Sequence, residues 1–294
     1  MLKKTEESPL INPEVNQRLL LFFQHQVKRL DTASMQLLEE KLAGSESQTL
    51  WHTVFSFIYA IEDSSGSLAT LAKGLKARDC YVISRMLLEL IVNICFVLSR
   101  GVDAAERAEQ HLFQKAYRNL DRKVTVGKRT IRIKWEGKDK VPMTPELKAA
   151  IGEFTTSKGS EIRDWTDENM VRRLESIEDK FGHDVSSLLQ LAYLAIYGNA
   201  SEIAHGTVFG VHFAFGLTQP GRTPGGESHR RQFMEWTSML LFLMSNCILS
   251  LLFTLGHYTD IKQLIQEARE ERKEIGELCG WSRKGDESEW KVTQ

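Results

Sequence analysis

Residues 80–99 read CYVISRMLLELIVNICFVLS. As a helix this run is apolar on nearly every side, with Arg85, Glu89 and Asn93 set into it. A rod without a solvent face belongs at the centre of a bundle, so the stretch predicts a core helix, capped by Asp79 and ended by Gly101. A second apolar run spans Met239 to Leu255. At about 17 residues it sits at the short limit for crossing ~30 Å of hydrocarbon. Ser245, Asn246, Ser250 and Thr254 interrupt it, and no basic cluster brackets both ends. A buried helix is therefore expected, not a membrane span. The charged start, MLKKTEESP, has no apolar run behind it, as a secretory signal would. A soluble, cytoplasmic protein without a membrane partner is the expectation.

Outward from these two rods the period stays helical. Asn12-Pro13 caps a helix carrying Val15, Leu19, Leu20, Phe23 and Val27. Another starts after Ser45-Glu-Ser47 and runs to about Leu75, and a polar one follows from Asp103 to about Leu120. Residues 144–157 and 167–181 read as shorter amphipathic helices. Asp184 opens one that runs through Leu188 and Tyr197 to His205 or beyond. Residues 219–226, QPGRTPGG with its flanking Gln, form the clearest loop, after which Ser228 caps a helix to about Tyr258. A charged helix from Asp260 to Leu278 closes the fold.

One segment departs from this period. Residues 124–135, VTVGKRTIRIKW, alternate apolar and polar around Gly127, which predicts a short two-stranded ribbon. A lone hairpin is marginal in water, so it must pack on the bundle or on another chain. The expectation is all-α: a single multi-helix bundle over residues 1–280, a small basic β-hairpin insertion at about 123–136, and a flexible tail at 281–294.

Composition narrows the function. The 294 residues are 42% hydrophobic and 26% charged, with 38 Lys plus Arg against 39 Asp plus Glu. A net charge of -1 excludes a protein that coats nucleic acid or anionic lipid over its whole surface. The four cysteines, Cys80, Cys95, Cys247 and Cys279, form no CxxC pair, which argues against a zinc site or a disulfide scaffold and for reduced thiols.

Polar groups planted in apolar helices carry most of the functional signal. Arg85 and Glu89 share a helix face, as a register-fixing ion pair or as the wall of a polar pocket. Tyr193, Tyr197, Ser201 and His205 follow at four-residue steps, a stripe of two phenols, a hydroxyl and an imidazole. It reads as aromatic core or as a site. Gly198, Gly206 and Gly210 each cost ~1 kcal/mol against Ala in a helix and suggest that a backbone, a ligand or another helix approaches closely. Glu202-Ile-Ala-His205 is a single ExxH, with His212 one heptad on, whereas di-iron bundles use two such motifs. Between Lys115 and Lys140, ten basic residues face three acids. A basic ribbon carrying Trp135 suits phosphate and base stacking, or is a solvated insertion kept from aggregating by its lysines.

SRMLLELIVN at 84–93, RDWT at Arg163–Thr166 and YxxxYxxxSxxxHGT from Tyr193 to Thr207 together resemble a bacterial all-helical domain-of-unknown-function family, over about residues 50–255. More distantly, NASEIAHG at 199–206 is similar to the active helix of HEPN-type ribonucleases of toxin, abortive-infection and antiphage systems. Those enzymes carry an Arg shortly before the His. Here the matching positions hold Gly198, Asn199 and Ala200, so the resemblance implies that Arg85 supplies the cation from a facing helix. It implies a metal-independent endoribonuclease, a homodimer with paired sites and no cofactor, in antiphage defence. His205 would be the general acid or base, Arg85 would stabilise the phosphorane and Glu89 would orient Arg85. Tyr193, Tyr197, Ser201 and Glu202 would position the phosphate, and Lys128, Arg129, Arg132 and Lys134 would hold RNA. Two alternatives stand beside this: a non-catalytic module binding a small ligand, a nucleotide or a partner protein from a neighbouring gene, and a metal centre at Glu202 and His205.

Overall fold

The computed structural model describes residues 8–42, 48–218, 225–282 and 291–292. Asn12 caps α1 (Pro13–Leu42), its Oδ1 accepting the Glu14 N–H at 2.9 Å. The chain then forms α2 (Gln48–Lys73), α3 (Ala77–Arg100) and α4 (Val102–Asn119). The hairpin β1 (Asp121–Val126) and β2 (Arg129–Lys134) follows, then α5 (Pro145–Glu153), α6 (Met170–Phe181) and α7 (His183–Ala192). A π-helical turn at Tyr193–Tyr197 joins α7 to α8 (Gly198–Ala204), and α9 (Val208–Ala214), α10 (Glu227–Thr259) and α11 (Lys262–Leu278) complete the fold. It is all-α with one small hairpin.

α10 is the central rod. Its side chains are buried almost without interruption from Thr237 to Gly256, packed by α1, α3, α7 and α11. α3 lies inside the bundle beside it, as expected, with every position of 80–99 but Met86 buried or partly buried. α3 packs on α2 and α10 along one side and on α6 and α8 along the other, leaving a strip open at Met86, which is 41% exposed. Both helices are long and apolar enough to cross a membrane. The short polar groups of α10 are absorbed inside the protein: Asn246 Nδ2 donates to the Phe242 carbonyl at 2.8 Å and Ser250 Oγ to that of Val185 at 3.0 Å. All four cysteines are free and buried. Burial pushes the Cys80, Cys95 and Cys279 thiols up to about 12.

Several helix ends differ from the sequence expectation. α3 starts at Ala77, with Lys76 at the cap position and Asp79 in the first turn. Gly101 ends it, as expected, at φ 77°. α10 starts at Glu227 behind Gly226 (φ 83°), so Ser228 lies inside the helix. α6 starts later than expected because Asn169 caps it, accepting the Arg172 N–H; α5 starts behind its cap Thr144, which accepts the Leu147 N–H, and stops early, at Glu153. The expected starts at Ser45–Ser47 and most of the loop at 219–226, with Arg222, lie outside the described residues. So does the chain start. Of the expected tail, Trp281–Ser282 pairs antiparallel with Lys291–Val292, and the rest lies outside the described residues.

The hairpin is two residues longer at its start than expected and turns at Gly127 (φ 61°) and Lys128. The Trp135 N–H donates to the Leu120 carbonyl at 2.9 Å, tying its base to the end of α4. Beyond Asp121 both strands are exposed throughout, so the expected packing on the bundle is not made.

Candidate functional site

Arg85, Glu89 and Asn93 recur every four residues and therefore line one face of α3. That face borders the open strip. Arg85 Nε donates to Glu89 Oε1 at 3.0 Å, the side chains being 23% and 39% exposed, so the pair meets water. The Arg85 Nη2 reaches the Tyr197 hydroxyl at 3.3 Å, and its guanidinium carbon stands 4.4 Å from that ring's centre. Two stretches 112 residues apart in sequence thus meet.

The π turn brings Tyr197 there. A π turn packs more than four residues into each revolution and recurs at functional sites. Tyr193 and Tyr197 both lie on it, with ring centres 5.0 Å apart and planes tilted by 45°. α7, the π turn and α8 form one continuous rod that stops after Ala204. The stop is a Schellman motif: Gly206 (φ 64°) and Thr207 donate N–H groups to the carbonyls of Ile203 and Glu202. Thr207 then caps α9, accepting the Gly210 N–H at 3.0 Å. Gly210 lies so close to the Glu202 carbonyl that a Cβ would overlap it, whereas Gly198 faces open space. The glycine signal therefore marks a backbone approach at Gly210 and a left-handed turn at Gly206.

A second arginine enters from α6. Arg173 Nη1 donates to Asn93 Oδ1 at 2.7 Å and its Nε to the Glu168 carbonyl at 2.8 Å. Its guanidinium carbon is 5.8 Å from the Trp165 ring centre, and Trp165 packs on Phe96 of α3. Arg107 of α4 holds the Trp165 carbonyl at 2.9 Å, which fixes the 164–168 loop. Desolvation pulls the Arg173 pKa down, against the nearby charges of Asp164 and Glu89 and the Tyr197 phenol. Desolvation acts on Arg85 too, but the hydrogen bond and charge of Glu89 outweigh it and hold that guanidinium above its usual value. Glu89 and Tyr197 therefore lie between two arginines.

His205 is not part of this contact group. It is exposed at the end of α8, eight residues past Tyr197 or ~12 Å along a helix at 1.5 Å per residue. Its ring makes no hydrogen bond or ion pair among the described residues. Ser201, partly buried, lies between them. The Glu202 carboxylate accepts the Thr207 hydroxyl at 2.5 Å. Among the described residues no group of three or more His, Cys, Asp or Glu is placed to hold a metal ion. On the hairpin, Arg132 is bound to Asp121 by two bonds of 2.7 Å and Lys134 to Asp139 at 2.5 Å. The Asp121 carboxyl is held far below the usual carboxylate range by Arg132 and Lys138. Lys128 at the turn and Arg129 beside it have no ion-pair partner among the described residues.

Sequence reasoning singled out Arg85, Glu89 and Tyr197 and missed Arg173. Asn93, four residues past Glu89 in an apolar helix, was the available signal for it. A family model described as a family of unknown function (DUF5677) matches residues 53–221. No curated protein and no solved structure matches the chain. The matched region holds α3, the Trp165 loop, α6 and the π turn.

Proposed function

The chain belongs to the DUF5677 family, whose function is unknown, and we propose that the groove between α3, α6 and the π turn binds the phosphate of a nucleotide. The observation that carries this reading is Arg173. It is partly buried, and among the described residues no carboxylate contacts it. Its Nη2, like the Arg85 Nη1, has no hydrogen-bond partner among them. A cation kept at a cost in desolvation, with donors to spare, suits an anion. The Tyr197 hydroxyl adds a further group, and the partly exposed Tyr193 ring beside it offers a base ~1–3 kcal/mol of stacking.

Cleavage of RNA by His205 is the second reading, favoured by the exposure of that ring on the rod that carries Tyr197. A general base must come within about 3 Å of the proton it takes, and His205 stands eight residues along the rod from Tyr197, outside the Arg85 contact group. Binding alone therefore ranks first. Calorimetric titration of the wild-type chain, Arg85→Met and Arg173→Met with inorganic phosphate, AMP and a short oligouridine decides it. Each charge-assisted bond is worth ~1.5–3 kcal/mol, so either substitution should weaken binding roughly 10- to 150-fold. Absence of wild-type binding to all three probes, or binding that both substitutions leave intact, overturns the reading. RNA cleavage that His205→Ala abolishes would put the second reading first.

A further inference from the structure

The hairpin register puts Val124 opposite Ile131 and Arg122 opposite Ile133. Side chains alternate across a strand, so Val124, Val126, Ile131, Ile133 and Trp135 share one face, with Arg122 and Arg129 at its two ends, and Lys123, Thr125, Thr130, Arg132 and Lys134 share the other. The polar face is closed on itself by the Asp121–Arg132 pair and the Thr125–Thr130 hydroxyl contact at 2.9 Å. The apolar face is open: its five apolar members are 54, 70, 64, 65 and 64% exposed in chain order. A two-stranded ribbon of this kind is marginal without a second layer, and the bundle does not provide one.

We propose that the second layer is the same hairpin of a second copy of this chain, the two apolar faces packed about a two-fold axis. The size fits. The five exposed side chains present roughly 500–600 Å², at the top of the ~300–600 Å² that a monomer leaves in its largest patch. That is most of the ~800 Å² that each partner brings to a standard interface. The charge distribution fits an antiparallel arrangement. The tip carries Lys128 and Arg129, and the base carries Trp135, the exposed Glu136 and Arg122, whose Nε is turned to Asn119 Oδ1. Turning one hairpin end for end over the other sets each basic tip on the other copy's Trp135 and Glu136, a cation–π and ion-pair match. The Val124–Ile131 and Ile133 rows then meet in the middle. A parallel arrangement would stack tip on tip and repel. Four of the five apolar members of the face are aliphatic and offer no ring to a base, and of the two arginines at its ends Arg122 is held by Asn119 Oδ1 at 2.5 Å. Two of the four basic residues expected to hold RNA are on the opposite face and already paired.

The surface lies on the insertion and not in the groove, so this inference and the phosphate-binding reading stand or fall separately. Sedimentation equilibrium of the full chain at micromolar concentration tests it, with Val124→Lys, Ile131→Lys and Glu136→Lys. The wild-type chain should be dimeric. Either apolar-face substitution should weaken the dimer at least about 100-fold, and Glu136→Lys about tenfold, the last effect fading at high salt. All substituted positions are exposed, and an unchanged thermal melt of each monomer shows that folding is intact. A monomeric wild-type chain overturns the proposal, as does a dimer that survives both apolar-face substitutions. Oligouridine binding that shifts a wild-type monomer and is lost in Ile131→Lys would make RNA the occupant and equally overturn it.

Discussion

α3 and α10 are equally apolar over their best membrane-length windows, yet 94% of that window is buried in α10 and 56% in α3. The difference lies in the kind of polar residue each one carries. α10 carries Asn246, Ser250 and Thr254, short groups that each bond a carbonyl within reach, and Ser245, whose buried hydroxyl has no partner among the described residues. Thr254 Oγ1, for example, donates to the Ser250 carbonyl at 2.8 Å and lies 3.4 Å from Cys95 Sγ of α3. Such groups enter a dry interior at little cost. α3 carries Arg85 and Glu89, which would each cost several kcal/mol if fully dried, roughly, even as a pair. That face consequently stays at the protein's edge. In two apolar windows of equal hydropathy, the one with charges keeps more of its surface open.

The sharpest way to break this contrast is to exchange the polarity. Ser250→Asp puts a carboxylate where the hydroxyl is fully buried and bonded to Val185. It should destabilise by more than about 4 kcal/mol and leave little folded protein. Met86→Asp, on the open strip of α3, should stay within about 1 kcal/mol of wild type. Urea denaturation of both gives the comparison directly. Comparable losses in the two would mean that the α3 strip is as dry as the α10 core and that no wet groove exists.

A smaller effect separates two glycines, Gly198 on the rod that carries Tyr197 and Gly210 on α9 packed against it. At Gly210 an added methyl would meet the Glu202 backbone, so Gly210→Ala should cost about 1–3 kcal/mol and shift α9 against α8. At Gly198 nothing lies within 4 Å and the backbone is helical, so Gly198→Ala should stabilise by about 0.5–1 kcal/mol. Thermal melts of the two single variants check the opposite signs. If both variants melt lower, the π turn just before Gly198 depends on the missing side chain, and the position of Tyr197 over Arg85 depends on it too.

These elements also show how far the sequence alone could go. The two apolar rods, the alternating ribbon and the Arg85–Glu89 spacing were all legible, because each is a local period. The choice of α10 over α3 as the central rod was not, since burial depends on which neighbours arrive from elsewhere in the chain. Arg173 reaches Asn93 across 80 residues, and Asn93 marks only that some polar partner arrives there, not which residue supplies it. The end of α8 was legible. His205-Gly206-Thr207 spells a glycine stop followed by a threonine cap, and the helix expected to run to His205 or beyond stops there, with His205 at its C-cap. The π turn left no mark in the sequence, because its extra residue is accommodated by packing against α3.

The smallest expected effect concerns the Arg85–Glu89 pair itself. A double-mutant cycle of Arg85→Met and Glu89→Gln should return a coupling of about 0.5–1 kcal/mol in unfolding free energy, since Glu89 is 39% exposed and solvent screens the pair. The coupling should fall with added salt, as expected for a pair in contact with water. A coupling above about 3 kcal/mol and insensitive to salt would belong to a desolvated pair whose main work is to hold helix register. Arg85 would then be neutralised by Glu89, and its remaining donor would hold an anion only weakly. A weak pair has the opposite consequence: Glu89 can be displaced from Arg85 at low cost, and an incoming phosphate can take its place beside Arg173.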